Sequence, residues 1–169
     1  MKVIIINGYP ESGKDTFVKL VQKAVGENIS VSEIWSSTPA KTALQELGWN
    51  GEDKTPEVRK ALAYLMDLSE AMFNGSARYI QREVKLRSIW GRKNNIIFIH
   101  CREPKNIRTY KTLLAAKTLL IRRDIPRIFS NERDSGVENY AYDYYIDNNG
   151  SLENLETEAK KFVEVLDVK

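Results

Sequence analysis

Short runs of apolar residues recur along the chain, with room for a helix between most of them. The clearest runs are VIII at 3–6, NIIFIHC at 95–101, TLLIRR at 118–123 and YYID at 144–147. The first three are apolar at consecutive positions, which is typical of strands buried on both faces and therefore of a parallel sheet covered by helices. A weaker run, ISVSEIW at 29–35, alternates apolar and polar residues and predicts a strand nearer the sheet edge.

Helical patterns fill the spaces between these runs. Thr38 and Thr55 are each followed by a proline that suits a first helical position, so each is predicted to cap a helix. The second of these helices is predicted to end near Asn74 and Gly75. Ser151 is predicted to cap the last helix, which has acidic residues in its first turn. The predicted helices cover residues 17–25, 37–49, 54–75, 76–91, 103–116 and 151–166.

Residues 123–143 show neither the alternation of a strand nor the spacing of apolar residues that is typical of a helix. They contain several charges and one glycine, so the segment is predicted to be a mobile insertion rather than part of the core. The remaining pattern, strands separated by helices, predicts a single α/β domain built as a three-layer sandwich on a five-stranded parallel sheet.

The composition of the chain limits which classes of function it can have. With 169 residues, 42% of them hydrophobic, the chain can bury one compact core. The net charge of +3 and a pI near 8.9 fit a pocket for several phosphates and argue against a dedicated nucleic-acid binder. One cysteine, Cys101, excludes an internal disulfide and indicates a cytoplasmic location. The opening apolar run is too short for a signal peptide or a membrane span, so we expect no membrane association.

The segment GYPESGKD at 8–15 connects the first strand to the first helix and has the pattern G-x-x-x-x-G-K. Its two glycines allow the backbone N–H groups to turn inward around phosphate oxygens, and the helix adds its positive N-terminal end. The lysine side chain supplies a cation for the β- and γ-phosphates. The predicted phosphate-binding residues are Gly8, Glu11, Ser12, Gly13, Lys14, Asp15 and Thr16.

Asp15 stands where a Ser or Thr normally follows the lysine. Three roles remain open for it: a hard oxygen ligand for Mg²⁺, an acceptor of a proton from the attacking group, or a favourable charge in the first helical turn. In the first two cases Thr16 would contact the α-phosphate.

The loop GYPESGKDTF resembles the phosphate loop of the nucleoside monophosphate kinases, and its G-K-D-T ending is similar to that of the phage-type deoxynucleoside monophosphate kinases. The segments WNGEDKTPEVRKAL, IIFIHCREP and SNERDSGVENYAYDYYIDNNGSLENL resemble other parts of those kinases. The resemblance implies a P-loop fold with strand order 2-3-1-4-5, an acceptor-binding segment at 36–94 and a lid at 123–143. It also implies ATP and Mg²⁺ as cofactors, and contacts from the loop at Asn149 and Gly150 to the donor adenine.

Arginines suit a kinase because the planar guanidinium group can donate hydrogen bonds to two phosphate oxygens at once. Arg102 follows a buried strand, where parallel strands form a ligand crevice. Arg127 and Arg133 are candidates for a lid that closes over the reacting phosphates. The resemblance places Arg59 at the acceptor monophosphate and suggests that Arg123 or its neighbour Arg122 stacks on the donor base. Arg78 and Arg82 are interpreted as a solvated helix face.

The central strand departs from many P-loop enzymes, because it ends in His100 and Cys101 without an acid that could help to hold Mg²⁺. Asp15 could take over that work. His100 and Cys101 themselves are interpreted as packed strand-end and core residues.

The leading hypothesis is an ATP- and Mg²⁺-dependent kinase of a nucleoside or deoxynucleoside monophosphate. The alternatives are a small-metabolite kinase of the dephospho-coenzyme A kinase type, a non-catalytic nucleotide-binding P-loop protein and, with least support, a nucleic-acid end kinase. The acceptor and the oligomeric state stay open, with a homodimer as one option.

Overall fold

The structure is a computed structural model that describes residues 1–53, 55–90, 94–124 and 136–168. These residues form one sheet of five parallel strands in the order β2-β3-β1-β4-β5, as predicted. The strands are β1 Lys2–Asn7, β2 Ile29–Trp35, β3 Asn94–His100, β4 Lys117–Arg122 and β5 Tyr144–Asp147.

Six helices connect or flank the strands within the described residues: α1 Lys14–Ala24, α2 Thr38–Glu46, α3 Pro56–Phe73, α4 Gly75–Trp90, α5 Pro104–Leu114 and α6 Leu152–Leu166. The predicted cap at Thr55 is confirmed, because its hydroxyl accepts a hydrogen bond from Val58 N–H at 3.4 Å. Ser151 caps α6 in the same way, accepting from Asn154 N–H at 3.3 Å. The cap assigned to Thr38 is off by one residue, since Thr38 already belongs to α2 and Ser37 occupies the N-cap position.

The apolar run of β1 serves two cores, one on each face of the sheet. Ile4 and Ile6 lie in a cluster with Phe17 of α1 and Phe162 of α6. Ile5 belongs to the opposite cluster, which is covered by α4 and α5. Because successive side chains of a strand point to opposite faces, a strand buried on both faces has to be apolar at every position.

Helix α3 differs from the other helices because none of its side chains is buried. Its neighbours are α2 and α4, and Tyr64, Leu68 and Met72 lie exposed along one side of it. No helix among the described residues combines the length and apolarity needed to cross a bilayer.

Since all five strands are parallel, their carboxyl ends meet at one edge of the sheet, where ligands of open α/β sheets bind. The glycine loop after β1, His100 at the end of β3 and the loop after β5 all lie at this edge. The fold therefore collects most of the chemically distinctive residues in one place.

Candidate functional site

The glycine loop has the curled backbone that its sequence predicts. Gly8 and Gly13 have φ angles of 152° and 95°. A Cβ at Gly8 would lie 2.5 Å from Ser12 Oγ and 2.6 Å from the Ile121 carbonyl oxygen, and a Cβ at Gly13 would collide with Asn148 Nδ2. Both positions therefore require glycine for conformation and for space.

Lys14 closes the loop on itself. Its Nζ donates hydrogen bonds to the carbonyl oxygens of Gly8 and Tyr9, each at 2.7 Å, and lies 3.5 Å from Ser12 Oγ. The preceding residue, Gly13, is the N-cap of α1 and offers no side-chain cap. The loop thus combines a held ammonium group with a helix N-terminus whose first N–H groups can bind an anion.

Asn148 joins the loop after β5 to the glycine loop. Its buried side chain donates from Nδ2 to the Ser12 carbonyl oxygen at 2.9 Å, while its backbone N–H donates to the Arg122 carbonyl oxygen at 2.7 Å. The sequence-based prediction selected Asn149 and Gly150 instead. The structure places those two exposed residues in a shallow groove of about 580 Å³ beside β5 and α6. Asn149 there accepts a hydrogen bond from Asp124 N–H at 2.7 Å.

Asn7 anchors the start of the glycine loop. Its Oδ1 accepts a hydrogen bond from Gly8 N–H at 2.8 Å, and its Nδ2 donates to Tyr142 Oη at 2.6 Å. The same Nδ2 donates to the Arg102 carbonyl oxygen at 3.1 Å, and the Tyr142 hydroxyl in turn donates to the Val137 carbonyl oxygen at 2.7 Å. The described end of the 123–143 segment is therefore tied directly to the loop. Val137 and Tyr142 are also buried in the core, so the prediction that this segment lies outside the core is wrong for its described end.

The predicted arginines fall into different environments. Arg123 is exposed and reaches the loop, where it donates to the Glu11 carbonyl oxygen at 3.4 Å. Its neighbour Arg122 instead pairs with Asp147 at 2.8 Å. Arg102 is half-buried at the carboxyl edge of the sheet. Two further predicted residues, Arg127 and Arg133, lie outside the described residues.

His100 joins two carboxylates that are distant in sequence. Its Nε2 lies 2.8 Å from Glu33 Oε2 on β2, and its Nδ1 lies 3.9 Å from Asp15 Oδ1 on α1. Trp35 stacks on the imidazole, with ring centroids 5.0 Å apart and planes 15° from parallel. Burial lowers the pKa of His100, and the contact with Glu33 opposes that shift.

Glu33 places a carboxylate beside the end of the central strand, where β3 itself has none. It comes from the adjacent edge strand, β2. The alternating pattern of β2 contained a signal, because a carboxylate two residues before Trp35 shares its face of the strand. Cys101, in contrast, is a buried core residue as predicted, and burial raises the pKa of its thiol to about 12.

A second groove, of about 600 Å³, runs between α3, α4 and α5. Arg78 and Lys105 contribute positive charge to it, and its remaining charged lining residues are Asp67, Glu70 and Glu103. Arg78 is exposed, as interpreted from the sequence, and its side chain also lines this groove. Arg59, the predicted acceptor contact, is exposed near the opposite end of α3. About 15 residues of helix separate it from the Asn74 end of the groove, or roughly 20 Å.

Comparison by sequence gives no match: no protein-family model fits the chain, and a search of curated proteins finds no similar sequence.

Comparison by structure identifies the fold. A thymidylate kinase from Candida albicans matches with a TM-score of 0.53 at 12% identity, covering 98% of this chain and 92% of that one. The Mycobacterium tuberculosis APS kinase, in complex with AMPPNP and APS, matches with a TM-score of 0.53 at 11% identity, covering 98% and 97%. A shikimate kinase from Bacteroides thetaiotaomicron matches with a TM-score of 0.51 at 16% identity, covering 99% of each chain. The chain has the fold of these P-loop kinases.

Proposed function

We propose that this protein transfers the γ-phosphoryl group of ATP, with Mg²⁺, to a nucleoside or deoxynucleoside monophosphate. The observation that supports this most directly is the glycine loop, with Lys14 Nζ held 2.7 Å from two loop carbonyls at the carboxyl edge of the sheet. A triphosphate would replace those carbonyls as the partner of the ammonium group. ATP is proposed as donor because a protein of the same fold was solved with AMPPNP.

In this proposal the loop supplies most of the binding energy for the donor. The N–H groups of Ser12 to Thr16 bind phosphate oxygens, and Lys14 follows the β- and γ-phosphates during transfer. We assign Arg123 and the loop at Asn149 and Gly150 to the donor base, because Arg123 reaches the glycine loop and the other two residues line a groove next to it. Catalysis of this kind is mainly positioning and electrostatic stabilisation, so cations matter more than general bases.

Arginines are proposed to supply the remaining positive charge that the reacting phosphates need. Arg102, at the carboxyl edge of the sheet, is assigned to the reacting phosphates. Arg127 and Arg133 are assigned to a lid formed by the 123–143 segment, which would exclude water when it closes. The anchoring of Tyr142 to Asn7 supports a lid hinged next to the loop.

The residues around Asp15 fit a divalent cation. The Asp15 carboxylate is 78% exposed beside Lys14, and Glu33 and His100 lie close to it. Carboxylate oxygens are ligands that Mg²⁺ prefers. When bound, the ion would neutralise charge on the phosphate oxygens. Asp15 and, through water, Glu33 are the residues proposed to hold it.

The groove between α3, α4 and α5 is the proposed acceptor site. Arg78 and Lys105 offer cations for the acceptor phosphate, while the acidic side chains can accept hydrogen bonds from base or sugar. This assignment places acceptor recognition within residues 36–94 and at the start of α5.

One observation favours the second candidate, a kinase of a small polar metabolite. Among the described residues that line the groove, the only aromatic ring is Tyr110, and its hydroxyl is bonded to Ser76 Oγ at 2.6 Å. A nucleobase is normally gripped by stacking, whereas a hydroxylated or carboxylated metabolite needs only the charged groups.

The experiment that tests the function is an ADP-release assay with Mg²⁺–ATP and a panel of acceptors: all common ribo- and deoxyribonucleoside monophosphates, dephospho-coenzyme A and small hydroxylated metabolites. We expect at least one monophosphate to be turned over at about 1–100 s⁻¹. Turnover confined to a non-nucleotide acceptor would establish the second candidate. ATP binding without any transfer would identify a non-catalytic nucleotide-binding protein. No ATP binding would overturn all three possibilities: the monophosphate kinase, the metabolite kinase and the non-catalytic binding protein.

Arg78→Ala tests the acceptor groove. Loss of its cation is expected to raise the KM for the acceptor at least tenfold, or about 1.4 kcal/mol, and to leave the KM for ATP unchanged. Arg82→Ala is the matched control, because Arg82 lies one turn further along α4 and pairs with Glu83 at 3.4 Å on the helix surface. Equal KM values for both variants and the wild type would place the acceptor elsewhere, with Arg59→Ala as the next variant to measure.

A further inference from the structure

His100 presents one ring nitrogen to the glycine loop. Its Nε2 is engaged by Glu33 at 2.8 Å. An imidazole that donates from Nε2 to a carboxylate has Nδ1 left as the nitrogen that can bind a metal ion. That nitrogen is on the side of Asp15, and the separation of 3.9 Å between Nδ1 and Asp15 Oδ1 is too long for a hydrogen bond.

The separation of 3.9 Å suits two ligands of a single metal ion. Ion–ligand distances of about 2.0–2.2 Å for imidazole nitrogen and carboxylate oxygen put neighbouring ligands of one ion roughly 3–3.5 Å apart, so Asp15 would have to move closer by about half an ångström. The side chain of Asp15 is 78% exposed, so it can adjust to the ion. His100 is buried and fixed by Trp35 and Glu33, so it is preorganised.

We propose that Asp15 and His100 Nδ1 form a binding site for a divalent first-row transition-metal ion, with Glu33 holding the imidazole at Nε2. A carboxylate on the far nitrogen of a ligating histidine is the usual outer-shell arrangement at such sites. The formal charges of Asp15, Glu33 and Lys14 sum to one negative unit, which favours a cation.

The donor set predicts which ion is preferred. Mg²⁺ binds oxygen ligands almost exclusively, whereas imidazole nitrogen suits first-row transition metals. The proposal rests on the proposed function in one respect only, namely that the same site also holds Mg²⁺ during phosphoryl transfer. Ion binding to the nucleotide-free chain does not depend on it.

The test is electron paramagnetic resonance of Mn²⁺ added to nucleotide-free protein that carries no histidine tag. The sequence contains a single histidine, so ¹⁴N modulation of bound Mn²⁺ in a pulsed measurement reports on His100 alone. We expect that modulation, and we expect Mg²⁺ to displace Mn²⁺ only at a concentration at least tenfold higher. Bound Mn²⁺ without nitrogen modulation, or no bound Mn²⁺, would overturn the proposal.

Variants locate the ion without disturbing the core. Asp15→Asn is expected to weaken Mn²⁺ binding at least tenfold, and Glu33→Gln to weaken it about tenfold while nitrogen modulation persists. Glu164→Gln, which changes an exposed carboxylate on α6, is the control and should match the wild type. Equal Mn²⁺ affinity in Asp15→Asn and the control would also overturn the site. ATP binding is measured separately. A protein that binds ATP but not Mn²⁺ would lack the proposed metal site while the proposed function still stands.

Discussion

Replacing Lys14 with methionine is expected to lower kcat for phosphoryl transfer by about 10²–10³-fold or more, because the ammonium group stabilises charge that moves between the β- and γ-phosphates. Methionine keeps most of the side-chain volume but cannot bond to the carbonyl oxygens of Gly8 and Tyr9. The measurement is an ADP-release assay with the best acceptor, accompanied by a thermal melt to verify folding.

Lys19→Met is the matched control, since Lys19 is an exposed lysine on the same helix. It should retain wild-type activity. A Lys14→Met protein that is folded and as active as the Lys19 variant would contradict the assignment of the loop.

Gly13→Ala is expected to damage both stability and nucleotide binding. A non-glycine residue in the left-handed region costs about 1–2 kcal/mol, and forced overpacking costs about 1–3 kcal/mol more. The new methyl group would press on the buried Asn148 side chain and so break its bond to the Ser12 carbonyl. We expect a melting temperature lower by roughly 10 °C and ATP affinity reduced at least tenfold.

Gly26→Ala provides the comparison for this variant. A Cβ at Gly26 meets nothing within 4 Å, and its φ lies outside the left-handed region. Calorimetric titration with Mg²⁺–ATP should give wild-type affinity for Gly26→Ala. Wild-type affinity and melting temperature in Gly13→Ala would show that the loop does not need its present curvature.

The sheet could be predicted almost completely from the sequence. Strands buried on both faces are apolar at every position, and the alternation of Ile29–Trp35 identified the edge strand. The starts of two helices could also be predicted from the sequence, because a Thr–Pro pair marks each of them. At Thr38 the predicted N-cap is off by one residue. These features are local, so the sequence pattern carries them directly.

The candidate site could be predicted from the sequence only where its residues are contiguous in the chain. The loop residues from Gly8 to Thr16 are contiguous, and their spacing identified them. Glu33 and His100 are 67 positions apart and meet because β2 lies beside β3. The resemblance implied that these strands are neighbours, but no local pattern gives the register that brings the two side chains together. Asn148 reaches Ser12 across 136 positions for the same kind of reason.

Helix α3 has a consequence for how new specificities can arise. It contributes no buried side chain, so its substitution costs the chain little stability, and surface changes usually alter the free energy of unfolding by less than about 0.5 kcal/mol. The glycine loop, in contrast, is held by hydrogen bonds that involve Asn7, Lys14 and Asn148. A library randomised on the groove-facing side of α3 should therefore yield mostly folded variants, so this helix is the place to change if the proposed phosphoryl transfer is to be directed to new acceptors.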